Sequence, residues 1–307
     1  MRLGIDLGGT KIEIVALDDT GQVQLRERVP TPKRDYGATL AAMRDLVLNA
    51  EKTLGSRGSV GVAIPGTISP KTGLVKNANS TALIGHPLDR DLSEALSRPV
   101  RIANDANCFV LSEATDGAAA GRDVVFGIIA GTGVGGGVCV HGRVLMGAHA
   151  IAGEWGHNPL PRPRPEEVPG PHCYCGRSGC IESWCSGPAV AAQFEARTGL
   201  KAAAHEIVEL AARNNAHATA VVGDFLDRFA RAIAHIVNIL DPDTIVLGGG
   251  LSNIEMLYRE LPPRVESYAF TPEGTTRIVR NMHGDSSGVR GAAWLWREDE
   301  IASALPA

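Results

Sequence analysis

Aromatic residues are scarce in this 307-residue chain: Phe, Trp and Tyr together make up 5%. That leaves little from which to build the stacking platforms that hold single-stranded nucleic acid. An excess of either charge is also missing. Thirty Lys and Arg stand against 34 Asp and Glu, a net charge of −4. Neither nucleic acid nor an anionic membrane is therefore expected as a partner. No apolar run approaches the roughly 18–20 residues needed to cross a bilayer. Asp6 breaks the first apolar stretch and no small-residue cleavage site follows it, so a secretory signal is not expected and a cytoplasmic location is. Disorder is excluded, because 44% of residues are apolar and only 21% charged. The length fits one large domain or two of about 150 residues.

Glycine is what the chain has in plenty. Its 36 residues are about 12% of the sequence, against an ordinary 7% or so. They are clustered, and the clusters follow strands. Arg2–Leu7 reads as a strand, then Gly8-Gly9-Thr10-Lys11, then strands over Ile12–Leu17 and Val23–Val29. Apolar spacing predicts a helix over Tyr36–Leu54. Strands are expected at Ser59–Ile64, ending in Pro65-Gly66, and at Pro99–Ile102, followed by Asn104-Asp105-Ala106-Asn107 and an alanine-rich helix to about Ala120. The pattern then restarts. Val124–Ala130 reads as a strand, Gly131–Gly137 as a glycine-rich turn and Val138–His141 as another strand. Helices are expected near Pro188–Thr198, Ala202–Asn214 and Thr219–Leu240, then the strand Thr244–Leu247 ending in Gly248-Gly249-Gly250, and a last helix from about Val289. Two halves, each opening with strand–glycine turn–strand, suggest a duplication around a phosphate-sized ligand. Asn158–His172 carries six prolines and is expected to be a tethered surface loop.

Backbone that must approach a phosphate closely needs residues without Cβ, and successive N–H groups in such a turn attract anions. Asp6 to Lys11 adds a carboxylate, a hydroxyl and a cation, groups suited to magnesium and phosphate oxygens. The turn is not a Walker A loop, since GxxxxGK[ST] is absent. Gly131–Gly137 spells GxGxxG, but a strand follows it where a dinucleotide fingerprint requires a helix.

Of six cysteines, three fall in His172-Cys173-Tyr174-Cys175-Gly176-Arg177-Ser178-Gly179-Cys180. That spacing suits zinc, which takes four Cys or His ligands, with His172 or His157 as the fourth. Cys108, Cys139 and Cys185 read as buried structural residues. If zinc ties Cys180 to His157, Glu154 and Glu182 are brought together, and two carboxylates with Asn104 and Asp105 suit the many hydroxyls of a polyol.

These motifs, in this order and over nearly the whole chain, resemble the ROK family of sugar kinases and repressors. The resemblance implies an α/β actin-like ATPase (ribonuclease-H-like) fold. Residues 1–118 would form a smaller N-terminal domain, completed by a C-terminal helix at 289–303. Residues 119–288 would form a larger domain carrying a zinc-binding loop at 153–182. It further implies an ATP-dependent hexose kinase using Mg²⁺, with structural Zn²⁺ and commonly as a homodimer. Asp105 would be the general base for the sugar 6-hydroxyl. Gly66, Asn79, Asn104, Glu154, His157 and Glu182 would bind the sugar. Asp6, Gly8, Gly9, Thr10 and Lys11, with Thr132 and Gly133, would hold phosphates and magnesium, and Gly248, Gly249 and Gly250 the adenosine. His157, Cys173, Cys175 and Cys180 would be the zinc ligands, so the resemblance selects His157 over His172. The stretches Lys76–Thr81, Glu154–Pro161 and His283–Gly288 look most like bacterial fructokinases, which makes fructose the expected substrate. Mannose, glucose or an N-acetylhexosamine is the alternative within the same chemistry. A sugar-responsive repressor is less expected, since no basic DNA-binding helical domain is seen before Asp6, and a non-catalytic sugar-binding protein would be expected to lack the base, whereas Asp105 is present.

Overall fold

The structure is a computed structural model. It describes every residue except Asn79, Ser80, Pro272, Thr275, Pro306 and Ala307, with the backbone alone at Thr81 and Asp285. The chain divides into two compact units of nearly equal length: Met1–Ala120 with Gly142–Ala152 and Asp285–Ala307, and Gly121–His141 with Gly153–Gly284. The segment Gly142–Ala152, expected in the second half, groups with the first.

In the first unit, β1 (Arg2–Leu7) and β2 (Lys11–Leu17) form an antiparallel hairpin, and β3 (Val23–Pro30) pairs antiparallel with β2. Helix α1 (Tyr36–Leu54) follows. Its Asp35 side chain caps it by accepting the Ala38 N–H, and Gly55 stops it at φ 69°. The strand β4 (Ser59–Ile64) then pairs parallel with β1. A small hairpin, β5 (Thr67–Ile68) and β6 (Val75–Lys76), precedes α2 (Leu88–Leu96), β7 (Val100–Asn104) and α3 (Asp105–Thr115). β7 extends the sheet in parallel beside β4. Leu3, Ile5, Ile12 and Ile14 of the sheet pack on Met43 and Val47 of α1 and Leu88 and Leu92 of α2.

In the second unit, β8 (Val124–Ala130) makes an antiparallel hairpin with β9 (Val134–Val140); the short β10 (Arg143–Val144), which follows in sequence, belongs to the first unit. After α4 (Ile181–Cys185), α5 (Gly187–Thr198), α6 (Ala204–Ala212) and α7 (Ala216–Leu240) comes β11 (Thr244–Gly248), parallel to β8. Helix α8 (Met256–Tyr268) leads to β12 (Arg277–Arg280), parallel to β11. The core here is aromatic and aliphatic: Phe126, Trp155, Phe194, Phe225, Phe229 and Leu261. Both units thus open with a hairpin whose first strand continues into parallel crossovers, the repeat expected from the two glycine-rich openings.

The chain closes with α9 (Ser287–Ala293) and α10 (Ile301–Ala304). Helix α9 lies in backbone contact with its neighbours in the first unit. A Cβ on Gly4 would sit 2.1 Å from the Val289 carbonyl oxygen, and one on Gly61 1.9 Å from that of Ala292. One on Gly291 would sit 1.7 Å from that of Cys108.

Three expectations are corrected. The glycines Gly135, Gly136 and Gly137 belong to β9, not to a turn, and only Gly131-Thr132-Gly133 forms the loop. Gly136 is there because a Cβ would meet Phe126 and the Trp155 ring at 2.9 Å. Helix α3 ends at Thr115, short of Ala120. Helix α8 was not expected at all, because Pro262 and Pro263 lie inside it. Among the described residues no helix is long and apolar enough to cross a membrane.

Candidate functional site

In the first unit the turn between β1 and β2 is closed by the Gly8 N–H donating to the Lys11 carbonyl at 3.0 Å. The Thr31 hydroxyl, donating to the Gly8 carbonyl at 2.7 Å, braces it from just past the end of β3. Gly9 is exposed, with no protein atom within 4 Å of a Cβ built there and no positive φ. Nothing in the chain itself requires glycine at this place, so the open space suits a ligand approaching the backbone. Asp6, at the end of β1, is half-buried. Burial first, then the charges of Asp105 and Glu13, push its carboxyl up to about 6, against a smaller opposing effect of Lys11. Such a carboxylate gains from a cation. Lys11 reaches back to Glu13 with Nζ 3.5 Å from Oε2. Glu13 is buried and accepts hydrogen bonds from Arg26 and Arg28 at 2.5 and 2.7 Å.

Asp105 opens α3 at the carboxyl end of β7 and is exposed. Asn104 is the N-cap, its Oδ1 accepting the Ala106 N–H at 2.9 Å. Gly66 is explained by packing, since a Cβ would lie 2.8 Å from both Ala78 Cβ and the Lys76 carbonyl oxygen. Asn79 lies outside the described residues.

In the second unit the segment Gly153-Glu154-Trp155-Gly156-His157 is pressed onto β9. A Cβ on Gly153 would meet the Gly136 carbonyl oxygen at 2.3 Å, and one on Gly156 that of Val134 at 1.8 Å. The Trp155 indole N–H donates to the Gly135 carbonyl at 2.9 Å and packs against Phe126. This anchor fixes Glu154 and His157 on either side of it.

His157, Cys173, Cys175 and Cys180 converge, with one ligand atom from each lying within 4.8 Å of all the others. His157 Nδ1 is 3.6 Å from Cys173 Sγ, and Cys175 Sγ is 3.6 Å from Cys180 Sγ. Tetrahedral zinc with bonds of about 2.0–2.3 Å puts its ligands at about those separations. The turn is shaped by Gly176 and Gly179, both at positive φ, and by the Cys173 N–H donating to the Arg177 carbonyl at 2.8 Å. His172 is exposed and outside the cluster, as the choice of His157 requires. The second ring nitrogen of His157, Nε2, lies 3.0 Å from the Tyr174 hydroxyl. Cys108, Cys139 and Cys185 are buried elsewhere.

The second glycine turn is closed by the Gly131 N–H donating to the Gly133 carbonyl at 2.9 Å. Glu182 Oε2 accepts the Val134 N–H at 2.9 Å, just beyond it. Gly248 ends β11. Gly249 has φ 78° and could carry no Cβ, which would meet the Ala130 carbonyl oxygen at 2.4 Å. At Gly250 a Cβ would find open space. Gly131, Thr132 and Gly250 line a cavity of about 460 Å³, walled further by Pro188, Ala191, Ala204, His205 and Leu251. That volume lies within the usual range for a small-molecule site. The sequence offered no signal for Pro188, Ala191, Ala204 and Leu251, because such apolar side chains carry no chemistry of their own, and His205 stands in no motif.

A protein-family model described as the ROK family matches residues 2–299. The N-acetyl-D-glucosamine kinase of Yersinia pseudotuberculosis serotype O:1b (strain IP 31758) is 41% identical over 299 residues, covering 96% of this chain and 98% of that protein. The ROK hexokinase of Thermus thermophilus superposes with a TM-score of 0.85 at 31% identity, covering 96% of this chain and 97% of the other. A ROK family glucokinase from Streptomyces griseus, solved with glucose and AMPPNP, gives 0.74 at 25% identity, covering 95% and 97%. With its two-sheet α/β architecture of the actin-like ATPase type, the chain belongs to the ROK family.

Proposed function

We propose that this ROK-family sugar kinase transfers the γ-phosphoryl group of ATP to the 6-hydroxyl of N-acetyl-D-glucosamine. The observation that carries the substrate is the 41% identity to an N-acetyl-D-glucosamine kinase over 96% of the chain. The relatives reported above are not named for fructose, the substrate expected from three short stretches.

In this reading Asp105 accepts the proton of the 6-hydroxyl as that oxygen forms its bond to the γ-phosphorus and the bond to the β,γ-bridging oxygen breaks, releasing ADP. A carboxylate ionised at neutral pH can take the proton late in transfer. Asn104, Glu154, His157 and Glu182, with Asn79 and the Gly66 backbone, hold sugar hydroxyls. The turn Gly8-Gly9-Thr10, with Lys11 and the turn Thr132-Gly133, receives the phosphates, since phosphoryl transfer is chiefly positioning and charge neutralisation. Asp6 holds the magnesium ion, which when bound neutralises charge on the phosphates. Gly248, Gly249 and Gly250 border the adenosine, whose place is the cavity walled by Pro188, Ala191 and His205. His157, Cys173, Cys175 and Cys180 hold a structural zinc ion that keeps Glu154 and Glu182 in register.

The test is ATP-dependent ADP release with magnesium across N-acetyl-D-glucosamine, fructose, mannose and glucose. A kcat/KM at least about tenfold higher for N-acetyl-D-glucosamine is expected. A preference for fructose would overturn the substrate, and no sugar-dependent release would overturn the kinase.

A further inference from the structure

The second glycine turn is gripped by α4 on one side and by the first residue of α5 on the other. At the start of α4, Glu182 Oε2 accepts the Val134 N–H at 2.9 Å. The carboxylate lies so close to the turn that a Cβ on Gly133 would come within 2.6 Å of that oxygen. Just past the end of α4, the Gly187 N–H donates to the Gly131 carbonyl at 2.8 Å. Here too the fit is tight, a Cβ on Gly187 reaching to 3.2 Å from that carbonyl oxygen. Gly187 and Pro188 then form part of the cavity wall. The residue that begins α4 is held by the cysteine cluster, because Cys180 is its N-cap. The turn is therefore held by the five-residue helix that presents Glu182 and by the first residue of α5, which directly follows it and walls the cavity.

We infer that Glu182 is a positioning residue for the nucleotide as well as a sugar ligand, and that it couples the two sites. One carboxylate oxygen is committed to the Val134 N–H and sets the turn that receives a phosphate. The other serves the sugar hydroxyl, a role that rests on the function proposed above. A sugar bound to one oxygen restrains the carboxylate, and with it the turn held by the other. Sugar then tightens nucleotide binding, and by thermodynamic reciprocity nucleotide tightens sugar binding by the same factor.

The experiment is titration calorimetry of the magnesium complex of AMPPNP into the zinc-loaded protein, with and without saturating N-acetyl-D-glucosamine. In the wild type the sugar is expected to tighten AMPPNP about fivefold or more. Glu182→Ala, measured without sugar, is expected to weaken AMPPNP about tenfold and to abolish the sugar effect, because the acceptor that holds the Val134 N–H of the turn is lost. Glu182→Gln keeps an oxygen for the Val134 N–H, so its AMPPNP affinity without sugar should stay within about twofold of wild type while its sugar affinity falls. Gly133→Ala guards against misfolding of the Ala variant. It displaces the carboxylate from the turn without removing it, and should weaken AMPPNP similarly. Unchanged AMPPNP affinity in Glu182→Ala and Gly133→Ala, or a wild type indifferent to sugar that it demonstrably binds, overturns the inference. Failure of the functional reading would look different: the wild type would bind none of the hexoses.

Discussion

Asp6 at the end of β1 feels the charge of Asp105 at the start of α3, and with burial as the larger cause its carboxyl is lifted to about 6. One pKa unit corresponds to about 1.4 kcal/mol, so keeping Asp6 ionised costs the ligand-free protein a few kcal/mol. The folded pKa lies above the unfolded one. The cost is therefore present in full above pH 6 and fades as the pH falls towards 4. Asp6→Asn should raise the melting temperature of the ligand-free protein by several degrees at pH 7.5, with little gain at pH 4.5, while lowering turnover by about 100-fold or more. Calorimetric melts at the two pH values, beside an ADP-release assay, check it. No gain at pH 7.5 would contradict the electrostatic account.

Two glycines predict opposite outcomes. Gly291→Ala pushes a Cβ to within 1.7 Å of the Cys108 carbonyl oxygen, backbone that cannot step aside. Urea denaturation should show a loss of about 3 kcal/mol. Gly9→Ala meets no atom within 4 Å. Its melting temperature should stay within about 1 °C of wild type, while the KM for ATP rises about tenfold as the new methyl fills the space a phosphate needs.

Much of this was legible in the sequence because its signals were local. The hairpin turn at Gly8-Gly9, helix α1 with Asp35 and Gly55 at its ends, and the cysteine spacing each state their geometry within a few residues. What was not legible depends on contacts distant in sequence. Gly135 and Gly136 read as turn residues until Trp155 is seen lying across them. Helix α8 survives Pro262 and Pro263 because Leu257, Leu261 and Val265 bury one face in the core. The choice between His157 and His172 lies in which ring faces the cysteines, a fact of tertiary placement. The grip of Glu182 on Val134, 48 positions away, carries no sequence signature.

The cysteine cluster predicts linked losses. Removing one ligand with Cys175→Ala, or stripping metal with a chelator, frees His157 and Cys180, which frame Glu154 and Glu182. The KM for sugar should rise about tenfold or more and the melting temperature should fall with it. Metal analysis alongside the assay checks this. Full activity and stability in a zinc-free preparation would contradict it.

The proline-rich loop is held by one buried carboxylate. Glu167 accepts from Arg228 at 2.7 Å, from Arg231 at 2.8 and 3.0 Å, and from the Arg164 N–H at 2.8 Å. Burial alone would raise its carboxyl, but the Arg231 hydrogen bonds, then the Arg164 N–H and Arg228, outweigh it and hold it at about 2. This stabilisation is present above the unfolded value near 4.5 and is lost as pH falls towards 2. Glu167→Ala leaves Arg228 buried with only the Gln193 side-chain oxygen as acceptor and Arg231 with Asp227 as its remaining carboxylate, and should cost about 3 kcal/mol at pH 7. Chemical denaturation at pH 7 and pH 3 measures both, with the difference between variant and wild type expected to shrink at pH 3.

The most direct test of the central claim is to follow the product by phosphorus NMR, with ATP, magnesium and N-acetyl-D-glucosamine, for wild type and Asp105→Asn. The wild type should form the sugar 6-phosphate. The variant should turn over about 10²–10⁴-fold more slowly, with its melting temperature and sugar affinity close to wild type. A variant that phosphorylates the sugar at the wild-type rate, or a wild type that phosphorylates a different hydroxyl, would contradict the account.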